Sequence, residues 1–165
     1  MFSHRKENGE NYLEEAQLPP ERLEGKHILN VGAGKTDLEG FLRKRYGVVC
    51  WVVNVDLGYN PYRKSLLWKL AGKMPRNDFP NRSVWADTRA LPIQDNTFDI
   101  TFARNIIPFF LTYKGETQAL SEIARVTRGP IYVYPSPDST LLAARRLGLD
   151  FPPTRNSHGT LVMRD

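Results

Sequence analysis

Two glycines and two carboxylates stand where a folded chain could use them to bind a small polar ligand. Gly32 and Gly34 alternate in the turn after an apolar run, and Asp56 and Asp87 each follow a later apolar run. The carboxyl ends of parallel strands meet at one edge of a sheet, which is where open α/β sheets bind ligands. Glycine lets the backbone approach a ligand closely, and carboxylates accept hydrogen bonds from hydroxyl and amino groups. The spacing therefore predicts a nucleotide or nucleoside site, although a tight turn without a ligand is an alternative.

Two phosphate-bearing ligands fit this turn poorly. Gly34-Lys35-Thr36 resembles the end of a P-loop, but the first glycine of that motif would fall at Leu29, inside the predicted strand. A dinucleotide fingerprint would require a glycine where the chain has Asp37. Asp37 and Glu39 favour the helix dipole of the first turn but repel a phosphate. A nicotinamide dinucleotide is thus a disfavoured alternative, and a nucleoside triphosphate is excluded.

A cationic nucleoside without phosphate, S-adenosylmethionine, fits these residues better. Its sulfonium and amino groups carry positive charge, so acidic residues near the turn do not oppose it. Asp56 lies 24 residues after Gly32, at the strand end where dinucleotide folds hold a ribose diol. Asp87 ends the third predicted strand, where a carboxylate or its neighbouring backbone can contact the adenine amino group. The coincidence of all three strand ends indicates a single cofactor site.

The elements that must position these residues alternate along the chain. Strands are predicted at 27–31, 48–55, 83–86, 97–103, 131–134 and 160–163, and helices after Thr36 and over 62–74, 116–127 and 136–148. Thr36 and Glu39 form a predicted capping box for the first of these helices. The pattern predicts an α/β, doubly wound, mainly parallel Rossmann-like sheet of about six strands with helices on both faces. We expect one domain over 26–165, after a loose polar lead-in over 1–25 with a short helix near 12–17.

The composition narrows the classes of protein to consider. The 165 residues include 23 Lys and Arg against 18 Asp and Glu, for a net charge of +5, and a single cysteine. One cysteine excludes a disulfide framework, and no histidine spacing predicts a metal site. The polar start shows no signal-peptide pattern, and no apolar run approaches the ~20 residues of a membrane helix. We therefore expect a cytoplasmic protein with no membrane association.

Several motifs in order make the chain similar to the class I S-adenosylmethionine-dependent methyltransferases, of the small-molecule type. ILNVGAGKTDLEGFL resembles the first cofactor motif of that family, and VVNVDLG resembles its acidic-ended second strand. ADTRALPIQDNTFDITFARNII resembles the third-strand aspartate, the following loop and the fourth strand. LSEIARVTRGPIYVYPSP resembles the next helix and the fifth strand. The resemblance covers about 26–135 and implies S-adenosylmethionine as cofactor and an unidentified methyl acceptor.

The resemblance also implies roles for individual residues. The first motif and second strand would supply Asn30, Gly32, Ala33, Gly34, Asp56 and Leu57 to the cofactor, and the later strands would supply Asp87, Thr88 and Arg104. Asp56 would bind the ribose hydroxyls, while Asp87 and Thr88 would contact adenine. Arg104 and Asn105 would lie beside the methyl group and the acceptor. Asn105 and Tyr134 are the candidate catalytic residues, and Asp99 is expected to be structural.

Three departures from the family pattern, and one basic and aromatic stretch, leave other functions open. Asn30 stands where the family usually has an acidic residue, Thr36 where a third glycine is common, and the C-terminal part is short. These departures favour a non-catalytic binding protein of the same fold as the alternative. The cations and aromatic residues over 59–76 are compatible with RNA contact, but a solvated helix face more often explains such a pattern.

Overall fold

Seven strands form one sheet in this computed structural model, which describes residues 9–34, 36–56, 82–84, 86–104, 113–147 and 154–163. The strands are β1 His27–Val31, β2 Trp51–Val55, β3 Ser83–Val84, β4 Ile100–Arg104, β5 Ile131–Tyr134, β6 Thr154–Arg155 and β7 Leu161–Met163. Their order across the sheet is β3-β2-β1-β4-β5-β7-β6. The first five are parallel, and β7 and β6 are antiparallel additions.

Helices cover both faces of the sheet, as predicted. They are α1 Glu10–Ala16, a 3-10 helix Pro20–Leu23, α2 Leu38–Tyr46, α3 Tyr113–Val126 and α4 Asp138–Arg145. Buried residues of α1 and α2 pack in one apolar cluster, and those of α3 and α4 pack in the other. Alternate residues of the strands face the two clusters, because successive side chains of a strand point to opposite faces. This arrangement confirms the α/β prediction.

The order of the strands reverses beside β1, and this fixes where a ligand can bind. From β1 the chain passes to β2 and β3 on one side, and then returns to β4 and β5 on the other. Helices that leave adjacent strand ends in opposite directions open a crevice at such a switch point. The turn after β1 and the end of β4 therefore lie at the crevice, since Val31 pairs with Ala103 in the register of these strands.

The expectation of about six strands is wrong by one. β6 contains only Thr154 and Arg155, which pair with Val162 and Leu161 of β7. Both residues of β6 are exposed, so neither apolar alternation nor a continuous apolar run marks this strand in the sequence. β6 and β7 thus form an antiparallel C-terminal hairpin, of which only the second strand was predicted, over 160–163.

The start of α2 also differs from the prediction. Asp37, rather than Thr36, is the N-cap residue, and its Oδ1 accepts a hydrogen bond of 2.9 Å from the Gly40 N–H. Glu39 does not turn back to the cap, since its carboxylate accepts bonds from Arg43 and from the Val52 N–H. A carboxylate at the N-cap satisfies a backbone donor and favours the helix dipole. Both predicted acidic residues thus lie at the helix start, Asp37 as the N-cap and Glu39 in the first turn.

Residues 10–23, which lie within the predicted lead-in, contribute buried side chains to the core. The predicted short helix is present as α1, and Tyr12, Leu13 and Ala16 on it are buried against the sheet. Leu23 of the 3-10 helix is fully buried as well. The Tyr12 ring meets Phe102 of β4 edge to face, with 5.7 Å between ring centroids. The segment from 10 to 23 therefore completes the apolar cluster on the α2 face of the sheet.

Asp99 has the structural role predicted for it. Its carboxylate accepts hydrogen bonds from the His27 N–H at 2.9 Å and from the Arg128 guanidinium at 2.6 and 2.8 Å. These bonds join the chain just before β4 to the start of β1 and to the turn before β5. Burial raises the pKa of this carboxyl, but the bonds from His27 and Arg128 outweigh burial and hold the pKa below its ordinary value.

We expect Asp99→Asn to lower the free energy of unfolding by about 1 to 2 kcal/mol at pH 7, because it weakens charge-assisted hydrogen bonds. A carboxyl whose folded-state pKa is lowered contributes stability above its unfolded pKa of about 3.9, and loses that contribution as the pH falls below it. Denaturant unfolding of both proteins between pH 7 and pH 3 measures this difference. A gap between the two proteins that stays constant down to pH 3 would contradict the assignment.

Two predicted features lie outside the described residues, namely the helix over 62–74 and the basic and aromatic pattern over 59–76. Within the part of the chain that the structure describes, no helix combines the length and apolar character that a bilayer span requires.

Candidate functional site

The turn after β1 has the backbone geometry that its glycines predict. Gly32 and Gly34 both have positive φ angles, of 75° and 54°, in the left-handed region that other residues rarely adopt. A Cβ atom placed on Gly34 would meet nothing within 4 Å. Ala33 between them is fully buried. Ala33 therefore packs in the interior beneath the turn, whereas the space beside Gly34 is open.

Asp56 contacts this turn directly. Its Oδ2 accepts a hydrogen bond of 2.8 Å from the Gly34 N–H, and the Gly32 N–H donates to the Val55 carbonyl at 2.8 Å. The ends of β1 and β2 are thereby fixed to each other at the ligand-binding edge. The structure brings together the glycine turn and the carboxylate that the sequence placed 22 to 24 residues apart.

Asn30 forms a buried polar pair just below the turn. Its Nδ2 donates a hydrogen bond of 2.9 Å to Oδ1 of Asn54, the residue opposite it on β2, and both side chains are buried. Among the described residues, Asn30 Oδ1 has no hydrogen-bond partner. An unsatisfied buried acceptor costs about 1 to 3 kcal/mol. A ligand amino group that donated to this oxygen would recover that cost.

Arg104 is the last residue of β4 and lies on the same face of the sheet as Asn30. Phe102 pairs with Asn30 in the strand register, and Arg104 follows two residues later. The Arg104 side chain is buried, and its guanidinium makes a bidentate ion pair with Glu15 of α1, at 2.8 and 2.9 Å. Arg104 thus lies at the end of the fourth strand, as predicted, and its ion-pair partner, Glu15, belongs to the N-terminal helix.

Asp87 and Thr88 follow β3, which is the neighbour of β2 in the sheet. Both oxygens of Asp87 accept hydrogen bonds from the Arg89 side chain, at 2.6 to 3.0 Å. The Arg89 backbone N–H donates to Asp87 Oδ1 as well, at 2.9 Å, so each carboxylate oxygen already accepts two hydrogen bonds. Thr88 is fully buried, and its Oγ1 has no partner among the described residues. The sequence showed the acidic residue but gave no indication of its pair with Arg89.

Of the two candidate catalytic residues, the structure describes Tyr134 but not Asn105. Tyr134 is the last residue of β5, is half-buried, and its ring centroid lies 6.0 Å from the Arg104 guanidinium carbon. Ser136, just beyond it, donates to the Gly159 carbonyl and so joins the end of β5 to the turn between β6 and β7. Leu57 and Asn105 lie outside the described residues. Of the two catalytic candidates, Tyr134 is therefore the one that the structure places at the edge of the site.

Glu15 and Tyr12 are residues of this edge that sequence reasoning missed. They belong to α1 and, with Arg104, Tyr134 and Thr160, line a small cleft above the ends of β4 and β5. The Tyr12 ring centroid is 5.3 Å from the Arg104 guanidinium carbon. The only indication of them in the sequence is the amphipathic spacing of Tyr12, Leu13 and Ala16. That spacing marks a helix but does not show which strand ends the helix covers.

The polar groups at this edge fit the predicted cofactor. The Asn30 oxygen can accept a hydrogen bond from the amino group at the methionine end of the cofactor, and the Arg104 guanidinium is opposite in charge to its carboxylate. Asp56 beside the glycine turn matches a ribose diol, and the open space at Gly34 allows close approach. Among the described residues, no group of three or more His, Cys, Asp and Glu side chains is placed to hold a metal ion. The donor set thus suits an organic, cationic nucleoside.

Comparison with known proteins identifies the family. The family model described as "Methyltransferase domain" matches residues 29–130, which is more than half of the chain. A comparison with curated proteins finds no significant match. Neither the family match nor the similar solved structures support the alternative of a nicotinamide-dependent oxidoreductase.

Two solved structures of S-adenosylmethionine-dependent methyltransferases, with TM-scores above 0.5, show the shared fold. A TehB-like enzyme from Corynebacterium glutamicum is 25% identical, with a TM-score of 0.60 over 97% of this chain and 88% of that one. An enzyme from Aquifex aeolicus is 17% identical, with a TM-score of 0.55 over 95% of this chain and 93% of that one. A protein from Methanococcus maripaludis is 20% identical with a TM-score of 0.48, and the match covers 76% of this chain but only 52% of that one.

The chain thus spans about half the length of some methyltransferases that it matches and most of the length of others. The family match contains the glycine turn, Asp56, Asp87 and Arg104, which end or follow four neighbouring parallel strands of the sheet. These findings confirm the predicted resemblance, the fold and S-adenosylmethionine as the cofactor implied. The chain belongs to the methyltransferase domain family and shares the Rossmann-like fold of a solved S-adenosylmethionine-dependent methyltransferase.

Proposed function

We propose that this chain binds S-adenosylmethionine at the carboxyl edge of its sheet and transfers the methyl group to a small-molecule acceptor. The observation that best supports this function is the hydrogen bond of 2.8 Å from the Gly34 N–H to Asp56. It holds the glycine turn and the acidic strand end around one site. The proposal extends to residue roles and to the acceptor class, which family membership alone does not give.

The nucleoside half of the cofactor is assigned to the first three strand ends. Asp56 would accept hydrogen bonds from the ribose hydroxyls, and the turn from Gly32 to Gly34 would lie against the cofactor. Asp87 would accept a hydrogen bond from the adenine amino group in place of one of its bonds from Arg89, and the buried Thr88 hydroxyl would find a partner on the base. Leu57 is proposed as an apolar contact beside the nucleoside.

The methionine half is assigned to the face shared by β1 and β4. Asn30 Oδ1 would accept a hydrogen bond from the amino group, and the Arg104 guanidinium would attract the carboxylate. An amide brings no charge, so it attracts an ammonium group less strongly than the usual acidic residue would. We therefore propose that Arg104 and Asp56 contribute more to affinity than Asn30 does.

Transfer of the methyl group requires mainly that the reactants are held in line. Bound S-adenosylmethionine supplies an electrophilic methyl group on a sulfonium. The chain contributes positioning, which can account for much of the rate of such a displacement. Tyr134 and Asn105, at the ends of β5 and β4, are proposed to contact the acceptor. A general base is not obligatory when the acceptor atom is already deprotonated, because no proton then has to leave during the transfer.

Isothermal titration calorimetry with S-adenosylmethionine and S-adenosylhomocysteine tests the proposal. We expect saturable binding of both ligands, with a stoichiometry of one per chain. A parallel titration of NADH, followed by its fluorescence, should show no binding. Absence of heat with either S-adenosyl ligand at millimolar concentration would overturn the proposed function.

A non-catalytic protein of the same fold is the second candidate. The neutral Asn30, which already pairs with Asn54, supports it because a weaker hold on the methionine end favours loose binding over turnover. Incubation with isotopically labelled S-adenosylmethionine and a broad panel of small-molecule acceptors distinguishes the two functions. Binding without any transfer of label would favour the second.

A further inference from the structure

The ion pair between Glu15 and Arg104 joins the N-terminal helix to the ligand-binding edge. Arg104 Nε and Nη2 each donate to a different oxygen of Glu15, and the two side chains are only 10% and 15% exposed. Two parallel bonds of this kind fix the plane of a guanidinium as well as its distance. The orientation of Arg104 at the end of β4 is therefore set by a residue 89 positions earlier in the chain.

Stability alone is a weak explanation for this pair. Removing two charges from water costs about as much as their attraction returns, so buried pairs are often replaceable by apolar residues without loss of stability. The surroundings here are largely apolar and aromatic, since Tyr12, Phe102 and Tyr132 are buried beside it. A charged pair at the carboxyl edge of the sheet is better explained if the Arg104 guanidinium binds a ligand.

The backbone of α1 at Glu15 is held independently of the Glu15 side chain. The Glu15 carbonyl accepts hydrogen bonds from Asn156 Nδ2 at 2.8 Å and from Thr160 Oγ1 at 2.6 Å. Both donors flank the turn between β6 and β7. A change confined to the Glu15 carboxylate thus leaves these two bonds in place and alters chiefly the hold on Arg104.

We propose that Glu15 is a positioning residue of the cofactor site and acts through Arg104. It holds the guanidinium in the plane and place from which Arg104 attracts the carboxylate at the methionine end of the cofactor. The helix α1 is accordingly one wall of the active site. This inference rests on the proposed function, because it assumes that the cofactor occupies the edge next to Arg104.

The test compares two ligands that differ in the amino-acid end, whose carboxylate is assigned to Arg104 and whose amino group is assigned to Asn30. S-adenosylhomocysteine has the amino-acid end, whereas 5′-methylthioadenosine keeps the nucleoside and the thioether but lacks that end. Glu15→Gln keeps the size of the side chain and removes its charge. We expect it to weaken binding of S-adenosylhomocysteine by at least about fivefold, while affinity for 5′-methylthioadenosine stays within about twofold.

Glu14→Gln is the matched control, because Glu14 is the exposed neighbour of Glu15 on the same helix. Its affinity for both ligands should equal that of the wild type. Arg104→Lys, which keeps the charge but cannot form the bidentate pair, should reproduce the selective loss. When Glu15→Gln is added to Arg104→Lys, the affinity for S-adenosylhomocysteine should fall by less than about a further twofold, because a residue that acts through another has no separate effect.

Several outcomes would overturn the role of Glu15. They are unchanged affinity of Glu15→Gln for S-adenosylhomocysteine, an equal loss for both ligands, or the same loss in Glu14→Gln. Thermal melting of each variant shows whether it folds, and if Glu15→Gln does not, Arg104→Lys carries the comparison of ligands. A wild-type protein that binds neither ligand would instead refute the proposed function itself, so the two failures are distinguishable.

Discussion

The Asp56→Ala variant is expected to bind S-adenosylhomocysteine at least about tenfold more weakly than the wild type. Removing a carboxylate that accepts hydrogen bonds from a ligand costs about 1.5 to 3 kcal/mol, and 1.4 kcal/mol corresponds to tenfold. The same substitution removes the acceptor of the Gly34 N–H, so the glycine turn loses part of its support. Both effects act on the same site, and calorimetric titration measures their sum.

Two further variants separate the role of Asp56 from a general loss of structure. Asp56→Asn keeps an acceptor oxygen without the charge and should give an intermediate loss. Asp95→Ala is the control, because Asp95 is 67% exposed and lies in the loop before β4, away from the ligand-binding edge. Its affinity should not change. Wild-type affinity in Asp56→Ala would show that the ribose is held elsewhere.

Leu120→Ala is expected to lower the free energy of unfolding by about 2 to 5 kcal/mol. Leu120 is fully buried on α3, in the cluster that covers β4 and β5. Truncation removes apolar contacts and leaves a cavity that a close-packed interior fills only in part. Denaturant unfolding followed by circular dichroism gives the difference in free energy from the shift of the midpoint at constant slope.

Leu142→Ala provides the matched comparison, since Leu142 is 51% exposed on α4. The same chemical change should there alter the free energy of unfolding by no more than about 0.5 kcal/mol. Equal effects at the two leucines would mean that α3 does not pack on the sheet as described.

The elements with strong local patterns could be predicted from the sequence. β5 was predicted with its observed limits, Ile131–Tyr134, because a short apolar run follows a Gly-Pro turn. β1 was likewise predicted from the apolar run before the glycines. Elements without such patterns were mispredicted. β6 is two exposed residues long, and the N-cap of α2 falls on Asp37, where two neighbouring residues can both cap a helix and packing decides between them.

The sequence by itself determined the fold class, the glycine turn and the acidic strand ends, because these follow from periodicity and from residues adjacent along the chain. Only the tertiary structure decided which side chains meet. It placed Asn30 opposite Asn54 through the register of two strands, and Arg104 against Glu15 through the packing of α1. Such contacts depend on strand order and helix docking between distant segments, and no local pattern encodes them. The partner of Arg104 was for this reason visible only in the folded chain.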